Sequence, residues 1–445
     1  MDYVPVHYRI AGTGAESIAA NVESAISHGE LSPGDALPPI REVAAELGVN
    51  PNTVAAAYRL LRDRGAVETA GRRGTRVRSR PATTPRSLLG LAVPAGARDL
   101  STGNPDPAML PIADAQWPAP AGRRPLLYGQ SAMSAELADI ARAALQADRV
   151  PAKHLAVTSG ALDGIERVLT AYLRPGDRVA VEDPGWANML DLIAALGLSA
   201  EPVGVDDEGP LILDMARALR RGVQAVLVTS RAQNPTGAAL SGDRASALRS
   251  LLAGRADDVL VVEDDHCAGI AGAALHTLAG STRRWAFVRS ASKAYGPDLR
   301  LAVVAGDRRT VERVHGRLRL GPGWVSHLLQ DLAVSLWSDD TATGRVSDAE
   351  QRYTDNRVRL CAALAERGVT AFGRSGLNVW IPVPDEAVAI SRLLNAGWGA
   401  APGTRFRIRS EPGMRITIAD LSAGEIDPLA DAIAEAVLVT GRRSV

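Results

Sequence analysis

The chain has 445 residues, 46% of them apolar and 22% charged, with basic and acidic residues balanced at 50 each. That length predicts about three domain-sized units with a large core, and the charge balance excludes nucleic-acid binding driven by net charge, so any such site must be local. Two cysteines, Cys267 and Cys361, exclude a disulfide framework or a cysteine-built metal cluster; with no signal pattern and no apolar run near the roughly 18 residues of a membrane span, a cytoplasmic protein without a metal site is expected.

Charge is concentrated early. Residues 59–80 carry eight arginines against Asp63 and Glu68, a net of +6. The stretch LPPIREVAAELGVNPNTVAAAYRLLRDRGAVETAGRRGTRV (37–77) predicts a short helix over 39–47, stopped at Gly48. A second helix follows, with Asn50 as N-cap and Pro51 at its first position. Val54, Tyr58 and Leu61 recur at i, i+4 and i+7 and give that helix one apolar stripe. Helix, tight turn, helix is the unit that lays its second helix in a DNA major groove. AVETAGRRGTRV then predicts two short strands around a glycine-bounded tip. This wing offers Arg72 and Arg73 to phosphates or a minor groove.

Residues 79–98, SRPATTPRSLLGLAVPAGAR, have no sustained period and predict a linker after an N-terminal domain of residues 1–78. Over residues 99–340, LAVTSG, RVAVED, AVLVTS, VLVVEDD, WAFVRS and LRLAVVAG read as buried strands alternating with helical patterns. They predict an α/β large domain with a mostly parallel sheet. Residues 341–445 begin with a helix, continue through SGLNVWIPVP and a second helix, and reach TRFRIRSEPGMRITIAD, the pattern of a small α+β domain.

Arginine supplies 48 of the basic residues and lysine only two, Lys153 and Lys293. Lys153 precedes a predicted strand and reads as a surface residue. Lys293 follows one, in RSASKAYGPDLR (289–300). An amine at a strand end can form an imine with a carbonyl ligand, which a permanently protonated guanidinium cannot. Four other strand ends carry complementary chemistry. VTSGALDG (157–164) is a strand, a small-residue turn and a helix start suited to a phosphate. VEDPGWAN (181–188) offers an aromatic plate, SRAQNPTG (230–237) an amide, and VVEDDHCAG (261–269) adjacent carboxylates. Open α/β sheets bind ligands at this edge, and the set describes a pyridoxal 5'-phosphate site.

The chain resembles known families along nearly its whole length. Residues 15–77 resemble the GntR-family winged helix through LSPGDALPPIREVAAELGV, NTV and the wing glycines. Residues 99–440 resemble a fold-type I aminotransferase, and the fusion resembles the MocR-type transcription regulators. The resemblance implies DNA contacts from Arg41, Asn52, Thr53 and Gly71, beside the wing residues Arg72 and Arg73. Pro51 and Ala55 depart from it, standing where many relatives carry arginine.

In the cofactor domain the resemblance makes Lys293 the Schiff-base lysine and pairs Asp264, rather than Asp265, with the pyridine nitrogen. It assigns Asn234 to the ring phenolic oxygen, Trp186 to stacking, and Gly160, Ala161, Ser290, Ser292 and Arg300 to the phosphate. Tyr128 is expected to reach the phosphate of a neighbouring subunit in a homodimer, and Arg415 to clamp an effector carboxylate. His266 stands where many relatives have a tyrosine bonded to the ring oxygen; it can donate the same bond but is expected to titrate near neutral pH. The glycine usual in the YGQSAMSAEL region of aminotransferases is also absent. Together these imply a regulator of double-stranded DNA whose binding responds to pyridoxal phosphate, or to an amine or amino acid reacting at Lys293. The alternative is an active aminotransferase with an appended DNA-binding domain.

Overall fold

The computed structural model describes residues 10–28, 30–32, 34–63, 66–69, 74–77, 86, 93–111, 127–255 and 258–438. The chain divides into two compact units. The first comprises residues 1–85 with 173–178 and 191–200; the second comprises 86–172, 179–190 and 201–445.

In the first unit, α1 (Ala15–His28), α2 (Ile40–Leu47) and α3 (Pro51–Asp63) precede an antiparallel hairpin of β1 (Val67–Thr69) and β2 (Thr75–Val77). Helix α2 stops where the sequence places its stop: Gly48 is left-handed at φ 65°, and its N–H bonds back to the helix carbonyls. The Asn50 side chain accepts from the Asn52 N–H at 2.8 Å and so caps α3. Val54, Tyr58 and Leu61 are buried with Ile18, Val22, Val43, Val67 and Val77 in one core. At about 1.5–3 kcal/mol per fully buried large side chain, that stripe outweighs helix propensity in holding a helix this short. The Tyr58 hydroxyl, buried with it, donates to the Pro38 carbonyl at 2.8 Å. Helix α1, which packs on α3, has no counterpart among the sequence expectations.

The second unit begins with β3 (Arg98–Asp99), α4 (Ala135–Ala147), β4 (His154–Thr158) and α5 (Ala161–Tyr172). In chain order there follow β5 (Arg178–Asp183), α6 (Ala187–Ala195) and β6 (Ser199–Asp206), of which residues 178, 191–195 and 199–200 belong to the first unit, and then β7 (Gly209–Pro210), α7 (Ile212–Arg220), β8 (Ala225–Thr229) and α8 (Gly242–Ala253). Next come β9 (Leu260–Asp265), β10 (Arg284–Ser290), α9 (Ser292–Tyr295), β11 (Ala302–Gly306), α10 (Arg308–Arg319), α11 (His327–Ser338) and α12 (Asp340–Glu366). The chain closes with β12 (Asn378–Pro382), α13 (Glu386–Asn395), β13 (Trp398–Gly399), β14 (Ala401–Pro402), β15 (Gly413–Thr417) and α14 (Ile426–Leu438).

Eight strands form one sheet in the order β4-β11-β10-β9-β8-β5-β6-β7. Strands β5, β8, β9 and β10 run parallel, and β11 is antiparallel to both its neighbours. All six runs read as strands from sequence lie in this sheet. Their central residues are buried, as expected of a sheet covered on both faces. Because β11 reverses the direction twice, β4, β5, β8, β9 and β10 all end on one edge. A second sheet, β12-β15-β14, packs with α12, α13 and α14 around a separate core. Arg98, read from sequence as the last linker residue, starts β3, which pairs with β13.

Candidate functional site

The five strand ends meet at a cavity of about 750 Å³. Its wall includes Ala161, Trp186, Asn234, His266, Ser290, Ser292, Lys293, Arg300 and Arg415. These nine expected site residues are spread over 255 positions of sequence and come together because each sits at or beyond a strand end on the same sheet edge, just before the start of β11 for Arg300, or on β15 for Arg415.

Lys293 lies in the one-turn helix α9, directly after β10, with its Nζ donating to the Gly103 carbonyl. Burial, abetted by the Arg415 guanidinium and opposed by Cys267, holds the amine below its ordinary pKa. A larger fraction of it is therefore the free, nucleophilic base at a given pH. Lys153 is exposed ahead of β4, as read from the sequence.

The paired acids diverge because successive strand residues point to opposite faces. Asp265 is fully buried between Arg231 Nε and Arg289 Nε, each at 2.8 Å. These two arginines hold its carboxylate below the ordinary pKa against the cost of burial. Asp264, 5% exposed, opens into a small adjoining cavity that Trp186 also lines. Its Oδ2 lies 3.1 Å from His266 Nδ1, while its buried Oδ1 has no hydrogen-bond partner. That free acceptor is what a protonated ring nitrogen requires, and Asp265 offers none.

His266 corrects one expectation. Burial on its own would lower its pKa, but Cys267 and the Asp264 carboxylate outweigh it, and the value lies well above the usual one. The Asp264 carboxylate 3.1 Å from Nδ1 thus favours the protonated imidazole, a shift away from the ordinary histidine value expected of it. The Trp186 and His266 rings are nearly parallel, 17° apart in tilt, with centroids separated by 6.3 Å.

Gly160, φ 95°, turns the chain from β4 into α5. A Cβ there would stand 3.0 Å from an Arg300 guanidinium nitrogen, so glycine lets that cation lie against the turn. With Ala161 at the start of α5, Ser290, Ser292 and Arg300, this makes a cradle of N–H, hydroxyl and guanidinium donors fitted to a phosphate.

Arg415 is 4% exposed. Its Nη1 donates to Asn234 Oδ1 at 2.9 Å and its Nη2 to the Ser101 carbonyl at 2.6 Å, while Nε has no hydrogen-bond partner. Burial, with the Arg405 charge adding to it, pushes the Arg415 guanidinium down to about 9.

Two sets of expected residues lie elsewhere. Tyr128 is 92% exposed, against the edge of Trp324 and away from the cavity wall. In the first unit, Arg41 on α2 and Asn52 in the first turn of α3 are exposed, and Thr53 beside it is half-buried. Gly71, Arg72 and Arg73 lie outside the described residues.

Sequence reasoning missed Asp99, Ser101, Gly103, Asn188, Arg405 and Phe406, all on the cavity wall. None follows one of the quoted strands except Asn188, which stood unremarked in VEDPGWAN. It also missed Glu182, one residue before Asp183. Buried on the same small cavity as Asp264, Glu182 accepts from the Thr229 N–H and hydroxyl and from the Gln233 amide. Burial pushes its pKa up to about 7 despite those bonds.

Comparison with known proteins agrees with this architecture. Residues 14–77 match the profile of bacterial regulatory proteins of the gntR family, and residues 99–433 that of aminotransferase class I and II. The vitamin B6 salvage pathway transcriptional repressor PtsJ of Salmonella typhimurium is 40% identical over 96% of this chain and 99% of its own length. The transcriptional regulator TauR of Rhodobacter capsulatus is 28% identical over 91% and 92% respectively. In three dimensions, the kynurenine aminotransferase of Pyrococcus horikoshii matches with a TM-score of 0.70 at 19% identity, over 81% of this chain and 97% of that one. No helix among the described residues is long and apolar enough to cross a membrane. The chain belongs to the MocR-type transcription regulators, in which a gntR-family DNA-binding domain is fused to an aminotransferase class I and II domain whose cofactor is pyridoxal 5'-phosphate.

Proposed function

We propose that this protein is a cytoplasmic homodimer whose occupancy of operator DNA is set by what is bound at Lys293. The observation that carries the reading is the unpartnered Oδ1 of Asp264, buried at the end of β9, in the same site as a lowered-pKa lysine and a phosphate cradle. When bound there, pyridoxal phosphate supplies an aldehyde that captures primary amines and a ring that withdraws electrons. Lys293, a buried amine of lowered pKa, would be the group that meets that aldehyde. Asp264 would accept a hydrogen bond from the protonated ring nitrogen at its free Oδ1, with its other oxygen 3.1 Å from His266 Nδ1. Ala161, Ser290, Ser292 and Arg300 bind the phosphate with the Gly160 turn, Trp186 covers a ring face, and Asn234 orients the phenolic oxygen. Arg415 receives a carboxylate. The exposure of Tyr128 suits a residue that serves a partner subunit's phosphate.

In the DNA-binding domain, Arg41, Asn52 and Thr53 meet the operator from α2 and α3, and Gly71, Arg72 and Arg73 from the wing. The effector acts by binding, and turnover is not needed. It shifts DNA occupancy only through different affinities for the free and DNA-bound arrangements, so DNA must alter cofactor affinity by the same factor. The test measures pyridoxal phosphate affinity with and without saturating operator, beside operator affinity with and without pyridoxal phosphate. Equal coupling in both directions is expected. No coupling for the cofactor or for any amine that reacts with it, together with multiple-turnover keto-acid formation, would replace this reading by that of an active aminotransferase.

A further inference from the structure

One carboxylate on the eight-stranded sheet grips a loop of the smaller sheet. Residues 406–412, which lead into β15, form no helix or strand, and all but Phe406 are exposed or half-buried. Asp183, at the end of β5 and 4% exposed, accepts four hydrogen bonds from this loop. Its Oδ1 takes the Ile408 N–H at 2.9 Å and the Ser410 hydroxyl at 2.8 Å. Its Oδ2 takes the N–H groups of Arg409 and Ser410 at 2.7 and 2.9 Å. Two residues on, the Gly185 N–H donates to the Phe406 carbonyl at 2.8 Å. Hydrogen bonds to a buried charge are among the strong ones, so the loop is held firmly although it has no regular structure.

The gripped loop carries the surface on which Arg415 rests. The Phe406 ring lies under the Arg415 guanidinium at 4.9 Å. That ring is buried with Ala187, Trp380 and Ala401, and the Trp380 ring meets it edge-on. Residues 183–187 therefore do two things at once: Asp183, Gly185 and Ala187 hold the loop, and Trp186 faces the cavity. On the other side, the Pro184 carbonyl accepts from the Gln233 amide at 2.8 Å, and the next residue, Asn234, accepts from Arg415 Nη1 at 2.9 Å. A guanidinium receives a carboxylate in its own plane, so its tilt matters as much as its distance. Asn234 and the Ser101 carbonyl place two of its nitrogens. The Phe406 ring sets the plane, and the position of that ring depends on β5 through Asp183 and Gly185.

Resting on the readings that amines react at Lys293 and that Arg415 receives a carboxylate, we propose that Asp183 is the positioning residue for that carboxylate. It pins residues 408–410 to β5, which keeps the Phe406 ring, and with it the Arg415 guanidinium, in the receiving orientation. Asp183 is not on the cavity wall, so its effect falls on ligands that carry the carboxylate. An asparagine there keeps one acceptor oxygen and turns an NH2 group towards two N–H donors, which undoes half of the grip.

The experiment uses full-length protein loaded with pyridoxal phosphate and follows its visible absorption. It is titrated with L-alanine against ethylamine, L-leucine against isopentylamine, and L-phenylalanine against phenethylamine. Each pair differs only in the carboxylate. In the wild type at least one amino acid is expected to bind about 10-fold or more tightly than its amine, as a charge-assisted hydrogen bond allows. Asp183→Asn should keep the visible band and the amine affinities while that ratio falls about 10-fold, to the ratio of Arg415→Gln, and the double variant should match Arg415→Gln alone. Ser410→Ala, which loses one of the four bonds, should lower the ratio about 3-fold and carries the test if Asp183→Asn does not fold. A ratio that stays at the wild-type value, amine and amino acid weakened alike, or a further fall on top of Arg415→Gln would each overturn the proposal. A wild-type protein with a visible band and no preference for any amino acid over its amine would overturn the reading of Arg415, and one with no visible band the cofactor reading, and this proposal with either.

Discussion

Replacing Asp264 and Asp265 separately by asparagine tests the division of labour between two adjacent acids. Asp265 is fully buried, and its partners Arg231 and Arg289 have side chains only 10% and 13% exposed. Its removal leaves those guanidiniums with Asp148, which is 34% exposed and reaches Arg231 only at 3.7 Å. Breaking one side of a buried ion pair costs about 3–5 kcal/mol. Unfolding entropy of about 2.1 cal/mol/K per residue, taken over roughly 340 residues, gives about 0.7 kcal/mol/K, so Asp265→Asn should lower the apparent Tm by about 4–7 °C. Asp264 has one side-chain partner, His266, which can shed its proton when that partner is lost, and a free oxygen, so Asp264→Asn should lower the Tm of the unloaded protein by less than Asp265→Asn does. It removes one hydrogen bond to a charged group, worth about 1.5–3 kcal/mol, and should weaken pyridoxal phosphate about 10- to 100-fold. Differential scanning calorimetry and a visible-absorption titration on both variants supply the two readouts. A folded Asp265→Asn that loses the visible band, beside an Asp264→Asn that keeps it at full affinity, would refute the assignment.

Lys293→Ala should abolish the visible band and borohydride labelling, and Lys153→Ala should preserve both; label found on Lys153 would contradict the site. Because the Lys293 pKa is lowered, its free amine persists to lower pH than that of an exposed lysine. Cofactor capture by the unloaded protein should therefore rise with pH through a midpoint below the ordinary lysine value of about 10.4, and a midpoint at or above it would argue against this environment. In the wing, Arg72→Ala and Arg73→Ala should each weaken operator and non-operator DNA alike and lower the salt slope by about one. Wild-type affinity in the double variant would remove the wing from the mechanism.

The sequence alone determined the elements whose causes are local. Gly48, Asn50 and Pro51 mark the turn between α2 and α3 by their own backbone preferences, and the i, i+4, i+7 stripe selects the face of α3 that is buried. The six apolar runs of the large domain declare themselves as strands because a sheet covered on both faces tolerates little polarity. Lys293, Asn234, Trp186 and Arg300 were candidates because strand-end motifs and the family resemblance point to them, and they do line one cavity, with Asp264 on the adjoining one. Helix α1 was not, since its pattern acquires meaning only against α3. Nor could the sequence settle how Asp264 and Asp265 divide their roles by residue type: strand alternation sends them to opposite faces, and only the positions of Arg231 and Arg289 decide which face is the ion pair. The upward pKa shift of His266 likewise depends on how the fold buries its ring against the Asp264 carboxylate. Arg405 looked like any other arginine in an arginine-rich chain. Its place on the cavity wall depends on the short turn between β14 and β15 and on the pairing of those strands, which only the tertiary structure brings to the sheet edge.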